Sequence, residues 1–239
     1  MKNYQSLDKV ISYQLTLGLL RLYLIVFRLR CNVSGARFLP QGAKILAGNH
    51  PNITDGFFIP LIFNERFFAM MHITTFDNPL MGWLFRKSDQ IPVIPGRKLE
   101  ALRKACEVLR QGYNVAICPE GRLNPEQESL KAGSGAVCLS LKTGAPIVPV
   151  GIYVAEQDTM NIEYWQNNNK HSGHWQIHGC CYIRVGQPWY PAREAIELSG
   201  QAAELLTEVL MDKIYTLSAE AAQQASLEQA VTLPISAPA

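Results

Sequence analysis

His50 and Asp55 are the side chains in this sequence whose types and spacing best suit moving a proton. They fall in the run Gly48-Asn49-His50-Pro51-Asn52-Ile53-Thr54-Asp55-Gly56, directly after the apolar stretch Ile45-Leu46-Ala47. An imidazole delivered at the end of a buried strand, with a carboxylate five positions later, can pull a proton from a hydroxyl. The carboxylate fixes the tautomer and stabilises the imidazolium that forms. No Ser or Cys nucleophile stands beside the pair, so the hydroxyl is assigned to a substrate. A plainer role also fits: Asn52 to Asp55 as a helix N-cap with an acidic residue at its third position, and His50 as a loop histidine before it. The pair alone does not decide between the two; the rest of the chain does.

The elements that must position this pair alternate between apolar runs and amphipathic stretches. Strands are expected at Ile45 to Gly48, Phe67 to His72, Ile91 to Ile94, Val115 to Cys118, Ile147 to Val154 and Cys180 to Val185. Helices are expected over Asn52 to Phe63, Leu80 to Arg86, Leu99 to Gln111, Ala136 to Lys142 and Ala192 to Leu217. The helix at 99 to 111 has the clearest period, with Leu99, Leu102, Cys106 and Leu109 on one stripe, and Gly112 as its stop. Residues 156 to 176 are polar and read as a long loop. The Ala-, Gln- and Pro-rich segment 219 to 239 reads as a mobile tail. The pattern predicts one layered α/β domain over 32 to 218, a central mixed sheet flanked by helices.

Composition agrees with a single domain. The chain has 239 residues, of which 48% are hydrophobic and 18% charged, enough to bury a sizeable core. A net charge of +2 argues against nucleic acid as a partner. Cys31, Cys106, Cys118, Cys138, Cys180 and Cys181 show no paired CxxC spacing and read as free thiols in a reducing compartment. Residues 1 to 31 form a separate N-terminal unit. Val10 to Phe27 is strongly apolar with Arg21 its only charge, and no small-residue cleavage site follows. Gln14, Gly18, Arg21 and Arg28 form one helical stripe and Leu15, Leu19, Leu22, Val26 and Leu29 another. This is the pattern of an amphipathic helix lying in a membrane interface, and it predicts a monotopic or peripheral protein at the cytoplasmic face.

Four segments line up along the domain. They are the His-Asp run just described, Ile91-Pro92-Val93-Ile94-Pro95-Gly96-Arg97, Cys118-Pro119-Glu120-Gly121-Arg122, and Gly144-Ala145-Pro146-Ile147-Val148-Pro149-Val150. In this order and spacing, over about residues 40 to 190, the chain resembles the glycerolipid acyltransferase family, whose best-known members are 1-acyl-glycerol-3-phosphate acyltransferases. The resemblance implies direct transfer of an acyl group from acyl-CoA or acyl carrier protein to a lysophospholipid hydroxyl, lysophosphatidic acid foremost, at a membrane. No cofactor beyond the acyl donor is implied. His50 would be the general base, oriented by Asp55, with oxyanion donors sought among backbone N–H groups near the following helix start. Arg97 and Arg122 would grip an acceptor phosphate, which suits the bidentate, permanently charged guanidinium. Glu120 and Gly121 would shape the acceptor site, Glu120 through an acceptor hydroxyl or by holding an arginine. Pro149 would shape the wall near the thioester.

Two departures stand out. The third block commonly reads Pro-Glu-Gly-Thr-Arg, whereas Arg122 here takes the Thr position and Leu123 the Arg position. Pro95-Gly96 precedes Arg97, so Arg86 or Lys87 could substitute for it. Other acceptors, among them glycerol-3-phosphate, lysophosphatidylglycerol and an ornithine lipid, stay open, as does a silent lipid-binding protein on the same scaffold or a thioesterase. His171, His174 and His178 lie in a polar stretch with no acidic partner at a helical offset, so no metal site is assigned to them.

Overall fold

A computed structural model describes residues 4–62, 65–126, 128, 130–166, 169–191 and 200–232. The strands among the described residues are β1 (Arg30–Ser34), β2 (Ile45–Gly48), β3 (Phe67–His72), β4 (Ile91–Val93), β5 (Asn114–Ile117), β6 (Ile147–Val154), β7 (Thr159–Gln166), β8 (Asn169–Gln176) and β9 (Cys180–Val185). The helices are α1 (Leu7–Val26), α2 (Asp55–Ile62), α3 (Met81–Lys87), α4 (Lys98–Arg110), α5 (Gly135–Thr143) and α6 (Gly200–Thr232). Seven strands form one sheet in the order β1-β9-β6-β2-β5-β3-β4. The five from β6 to β4 are mutually parallel, and β9 joins β6 antiparallel, which makes the sheet mixed. This is the layered α/β architecture expected from the alternation of elements.

The sheet is covered on both faces, so its central strands are apolar throughout rather than alternating with polar residues. Ile45 and Ala47 of β2 face a core built with α4, α5 and α6, while Leu46 faces a second core built with α1 and α2. The same two-residue period sends Phe68 and Val115 to the first face and Phe67 and Ala116 to the second. Connections leave the carboxyl ends of β2 and β5 in opposite directions: β2 leads through α2 to β3, and β5 leads through α5 to β6. Adjacent parallel strands whose exits diverge open a crevice at their carboxyl ends, where open α/β sheets bind ligands.

Two segments differ from the sequence reading. Residues 159 to 176 are not a loop: β7 and β8 pair antiparallel from Thr159↔Gln176 to Gln166↔Asn169. The period-two run Met160, Ile162, Tyr164 is the signal of that hairpin, hidden among polar neighbours. The segment after Ser218 is not a mobile tail as far as Thr232. The helix α6 runs through it, with Ala221 and Ala225 buried against Tyr182 of β9. Small residues carry little hydrophobic signal, yet they let a helix approach a strand closely. Residues 192–199 and 233–239, the start of the expected last helix and the end of the expected tail, lie outside the described residues, as does Phe63.

The helix α1 packs one face on the core and leaves the stripe of Leu15, Leu22 and Val26 outward. Its inner face is Ser12, Tyr13, Thr16, Leu17 and Leu20. The Ser12 and Thr16 hydroxyls return to the carbonyls of Asp8 and Ser12, so these polar groups are satisfied when buried. Leu7, Leu15, Leu22, Ile25 and Val26 instead point outward, each more than half exposed. The inner face therefore combines two hydroxyls with Tyr13, Leu17 and Leu20, and much of the aliphatic surface is on the outside.

Candidate active site

The run that leaves β2 is held by side chains acting as backbone. Asn49, fully buried, accepts from Ile152 N and donates to Ile152 O, both at 2.8 Å. Its amide continues the β2–β6 ladder after Gly48 and frees the main chain to turn. Asn52 then bends the chain toward α2: its Oδ1 accepts from the Thr54 N–H at 2.9 Å and from the Thr54 hydroxyl.

This turn brings His50 and Asp55 together. His50 Nδ1 lies 3.2 Å from Asp55 Oδ2. The same oxygen accepts from Asn52 N at 3.0 Å. The helix-start role and the imidazole-orienting role are thus carried by one carboxylate. The Asp55 side chain is 2% exposed and that of His50 is 29% exposed. Burial pushes the Asp55 carboxyl up, and the hydrogen bond and charge of His50 oppose that shift. As a carboxylate, Asp55 can only accept, which places a proton on Nδ1 and leaves the lone pair of Nε2 for a substrate.

Glu120, at the crevice end of β5, is buried. Its Oε2 accepts the backbone N–H of His50 at 2.8 Å. Its Oε1 accepts from Asn124 Nδ2 at 2.7 Å and from the Tyr215 hydroxyl at 2.9 Å. Asn124 N returns to the carbonyl of His50 at 2.8 Å. Both carboxylate oxygens accept from protein donors, and no arginine is among them. Gly121 adopts φ +68°, the left-handed turn that lets the chain leave the strand.

The remaining expected residues divide. Arg122 is exposed and follows β5, the strand next to β2, so it flanks the His50 crevice. Arg97 precedes α4 after β4, three strands from β2, a separation of roughly 14 Å at the usual strand spacing. It is 60% exposed and its Nε bonds Glu100 Oε1 at 2.8 Å. Arg86 is also exposed and stands over the Phe76 ring. Pro149 lies within β6, buried, paired with Ala47 and accepting from Gly186 N at 2.9 Å. It is a sheet residue beside the end of β2.

The backbone N–H groups at the start of α2 are already used. Those of Asn52, Ile53, Thr54 and Asp55 bond Asp55 Oδ2, His174 O, Asn52 Oδ1 and Asn52 O. They are not the oxyanion donors expected there. The Ile53 bond shows what sequence reasoning missed at this site, the β7–β8 hairpin. Gly173 of β8 lies against the Ile53 side chain, so the hairpin packs directly on the His50 loop. Trp175 extends the contact through ring packing with Tyr23 of α1 and Phe57 of α2. Cys118 borders the site, but burial and the carboxylates of Asp55 and Glu120 push its thiol far up, so it is no competing nucleophile. Among the described residues no cluster of His, Cys, Asp and Glu could hold a metal ion; His178 pairs with Asp158 at 2.8 Å, and the His171 side chain lies outside the described ones.

Comparison with known proteins places this geometry in a family. Residues 30–153, which contain His50, Asp55, Arg97, Glu120, Gly121, Arg122 and Pro149, match the model of the Acyltransferase family. The chain is 27% identical to a 1-acyl-sn-glycerol-3-phosphate acyltransferase of Borreliella burgdorferi over 194 residues, 76% of this chain and 69% of that protein. It is 24% identical over 126 residues to a chloroplastic 1-acyl-sn-glycerol-3-phosphate acyltransferase of Arabidopsis thaliana, covering 51% of this chain and 35% of that one. The crystal structure of the 1-acyl-sn-glycerophosphate acyltransferase PlsC from Thermotoga maritima shares the fold, with a TM-score of 0.65 and 20% identity over 92% of this chain and 84% of that one. A His-Asp pair at the β2 crevice, a buried glutamate fixing the histidine backbone and a family model matched across all four blocks lead to one conclusion: the chain is an acyltransferase, a member of the glycerolipid acyltransferase family.

Proposed function

We propose that the enzyme transfers a fatty acyl group from acyl-CoA or acyl carrier protein to the free hydroxyl of a lysophospholipid, lysophosphatidic acid foremost, at a membrane surface. The observation that carries the reading is His50, part-exposed in the crevice, with Nδ1 on the buried Asp55 carboxylate. Nε2 takes the acceptor hydroxyl proton as the oxygen attacks the thioester carbonyl. The tetrahedral intermediate collapses, the C–S bond breaks, and the departing thiolate takes the proton back from the imidazolium. No acyl-enzyme is needed, because the attacking oxygen is the acceptor's own. The test is acyl transfer from oleoyl-CoA to lysophosphatidic acid in vesicles, read by mass spectrometry. Phosphatidic acid is the expected product; no product from any pair in a panel of thioester donors and lysolipid acceptors refutes the reading.

Arg122 supplies the phosphate contact in this proposal, being one strand from His50, and Arg97 contributes at longer range. Charged hydrogen bonds of this kind are worth about 1.5–3 kcal/mol. Arg122→Ala is expected to raise KM for a phosphate-bearing acceptor by roughly 10-fold or more while KM for the donor stays unchanged. Equal effects on both substrates, or a larger effect from Arg97→Ala, would reverse the assignment.

Membrane attachment in this reading falls to α1. The helix is long and apolar enough to cross a membrane. Yet Tyr13 and Leu17 are packed into the core against Phe58, Ile62 and Phe67, and Leu20 is buried as well. A helix so anchored lies along the membrane interface with its outer aliphatic face in lipid. Deleting it would strip the core as well, so surface substitution is the cleaner test. Leu15→Asp with Leu22→Asp is expected to move most of the folded protein from sedimented vesicles to the supernatant. Unchanged sedimentation of the folded double variant would remove α1 from this role.

A further inference from the structure

The helix α6 lies outside the region that matches the family model, and near its middle it reaches the His50 loop at two points, one through Glu120 and one directly at Asn49. Tyr215 donates its hydroxyl to Glu120 Oε1 at 2.9 Å, and Glu120 Oε2 holds the His50 N–H at 2.8 Å. Three residues on, one turn along the same helix face, Ser218 accepts from Asn49 Nδ2 at 3.3 Å and donates to Ile152 O at 3.0 Å. The two residues that aim the imidazole, Asn49 and His50, are therefore each gripped from α6.

The grip depends on an unusually close approach of helix to strand. A Cβ on Gly151 of β6 would overlap the Ser218 nitrogen and the Leu217 carbonyl carbon, so only glycine admits α6 here. The Tyr215 hydroxyl suits a permanent donor. Burial and the neighbouring Glu120 carboxylate push it up to about 12, so it keeps its proton through the range in which a histidine base works.

We infer that Tyr215 and Ser218 of α6 are positioning residues for acyl transfer, setting the aim of His50 through Glu120 and Asn49. Neither touches the reacting atoms. The inference rests on the reading of His50 as general base. Misplacing a reacting group by a fraction of an ångström lowers the rate of the chemical step and leaves ground-state binding of either substrate intact.

The test compares Tyr215→Phe, Ser218→Ala and their combination with Ile214→Val, a change at a fully buried core position of the same helix that loosens packing without touching the grip. Purified folded enzyme is assayed with oleoyl-CoA and lysophosphatidic acid in vesicles, with His50→Ala alongside. Backbone hydrogen exchange is followed over residues 49–52. The expected result is a kcat lower by about 10-fold for Tyr215→Phe and by about 100-fold for the double variant, with both KM values unchanged. Faster exchange of the His50 amide should accompany it, while Ile214→Val lowers Tm without lowering kcat. Wild-type kcat in the double variant, or a kcat loss no greater than that of Ile214→Val, overturns the proposal. An active His50→Ala would instead remove the base reading and this inference with it. A wild type without turnover on any substrate pair, with the amide exchange unchanged in the variants, would do the same.

Discussion

His50→Ala is expected to abolish acyl transfer, lowering kcat by about 10²–10⁴-fold, the range that general-base catalysis supplies. The imidazole is only part-buried and its side chain bonds Asp55 alone among the contacts described, so its removal costs the fold little. The backbone bonds of position 50, to Glu120 and from Asn124, survive in the alanine variant. Activity should therefore collapse while Tm moves by little and binding of both substrates persists. Parallel measurement of kcat, KM and Tm checks all three. Loss of Tm in step with loss of rate would mean that His50 is a structural residue.

Gly151→Ala should have the opposite signature. The added carbon meets backbone of α6 and not a side chain that can swing away, so helix or strand must shift. The expected cost is about 3 kcal/mol, or roughly 10 °C in Tm for a chain of this length. Because α6 also grips Asn49 through Ser218 and Glu120 through Tyr215, whatever folds should have a reduced kcat as well. Thermal unfolding together with the rate per folded molecule checks both effects. A Tm within about 2 °C of wild type would show that α6 sits further from β6 than described. Taken together, the two variants separate chemistry from scaffold: one removes the base and leaves its support, the other loosens the support and leaves the base.

The expected contribution of α1 is of a third kind. Its inner face mixes satisfied hydroxyls with Tyr13, Leu17 and Leu20, while Leu7, Leu15, Leu22, Ile25 and Val26 face out, an exposed aliphatic surface that is costly in water and natural beside lipid. The same helix reaches the site through Tyr23, whose hydroxyl donates to Gln176 O at the base of the hairpin. A membrane-docked α1 would thus hold the hairpin, and through Ile53 the His50 loop, at a fixed height above the lipid surface.

By itself the sequence determined the local parts of this protein. The strand Ile45–Gly48 and the His50–Asp55 pair were legible because they lie within a dozen residues, where periodicity and turn chemistry act. The layered α/β class followed from alternating runs whose burial is set by their own composition. Tertiary structure decided what depends on partners far along the chain. Glu120 reads in sequence as a substrate contact, yet it holds a backbone N–H 70 positions away. Asn49 and Ser218 meet across 169 positions. The segment after Ser218 looked structureless because alanines and glutamines carry no strong apolar stripe, and only the flat surface of Tyr182 shows why small residues were needed there. The hairpin was hidden for a similar reason: its one apolar face is short, and it docks through the Ile53 N–H on His174 O and the packing of Trp175 on Tyr23 and Phe57. Sequence thus encodes the chemistry at close range, while the aim of that chemistry is set by contacts whose two halves are recognisable only once the chain has folded.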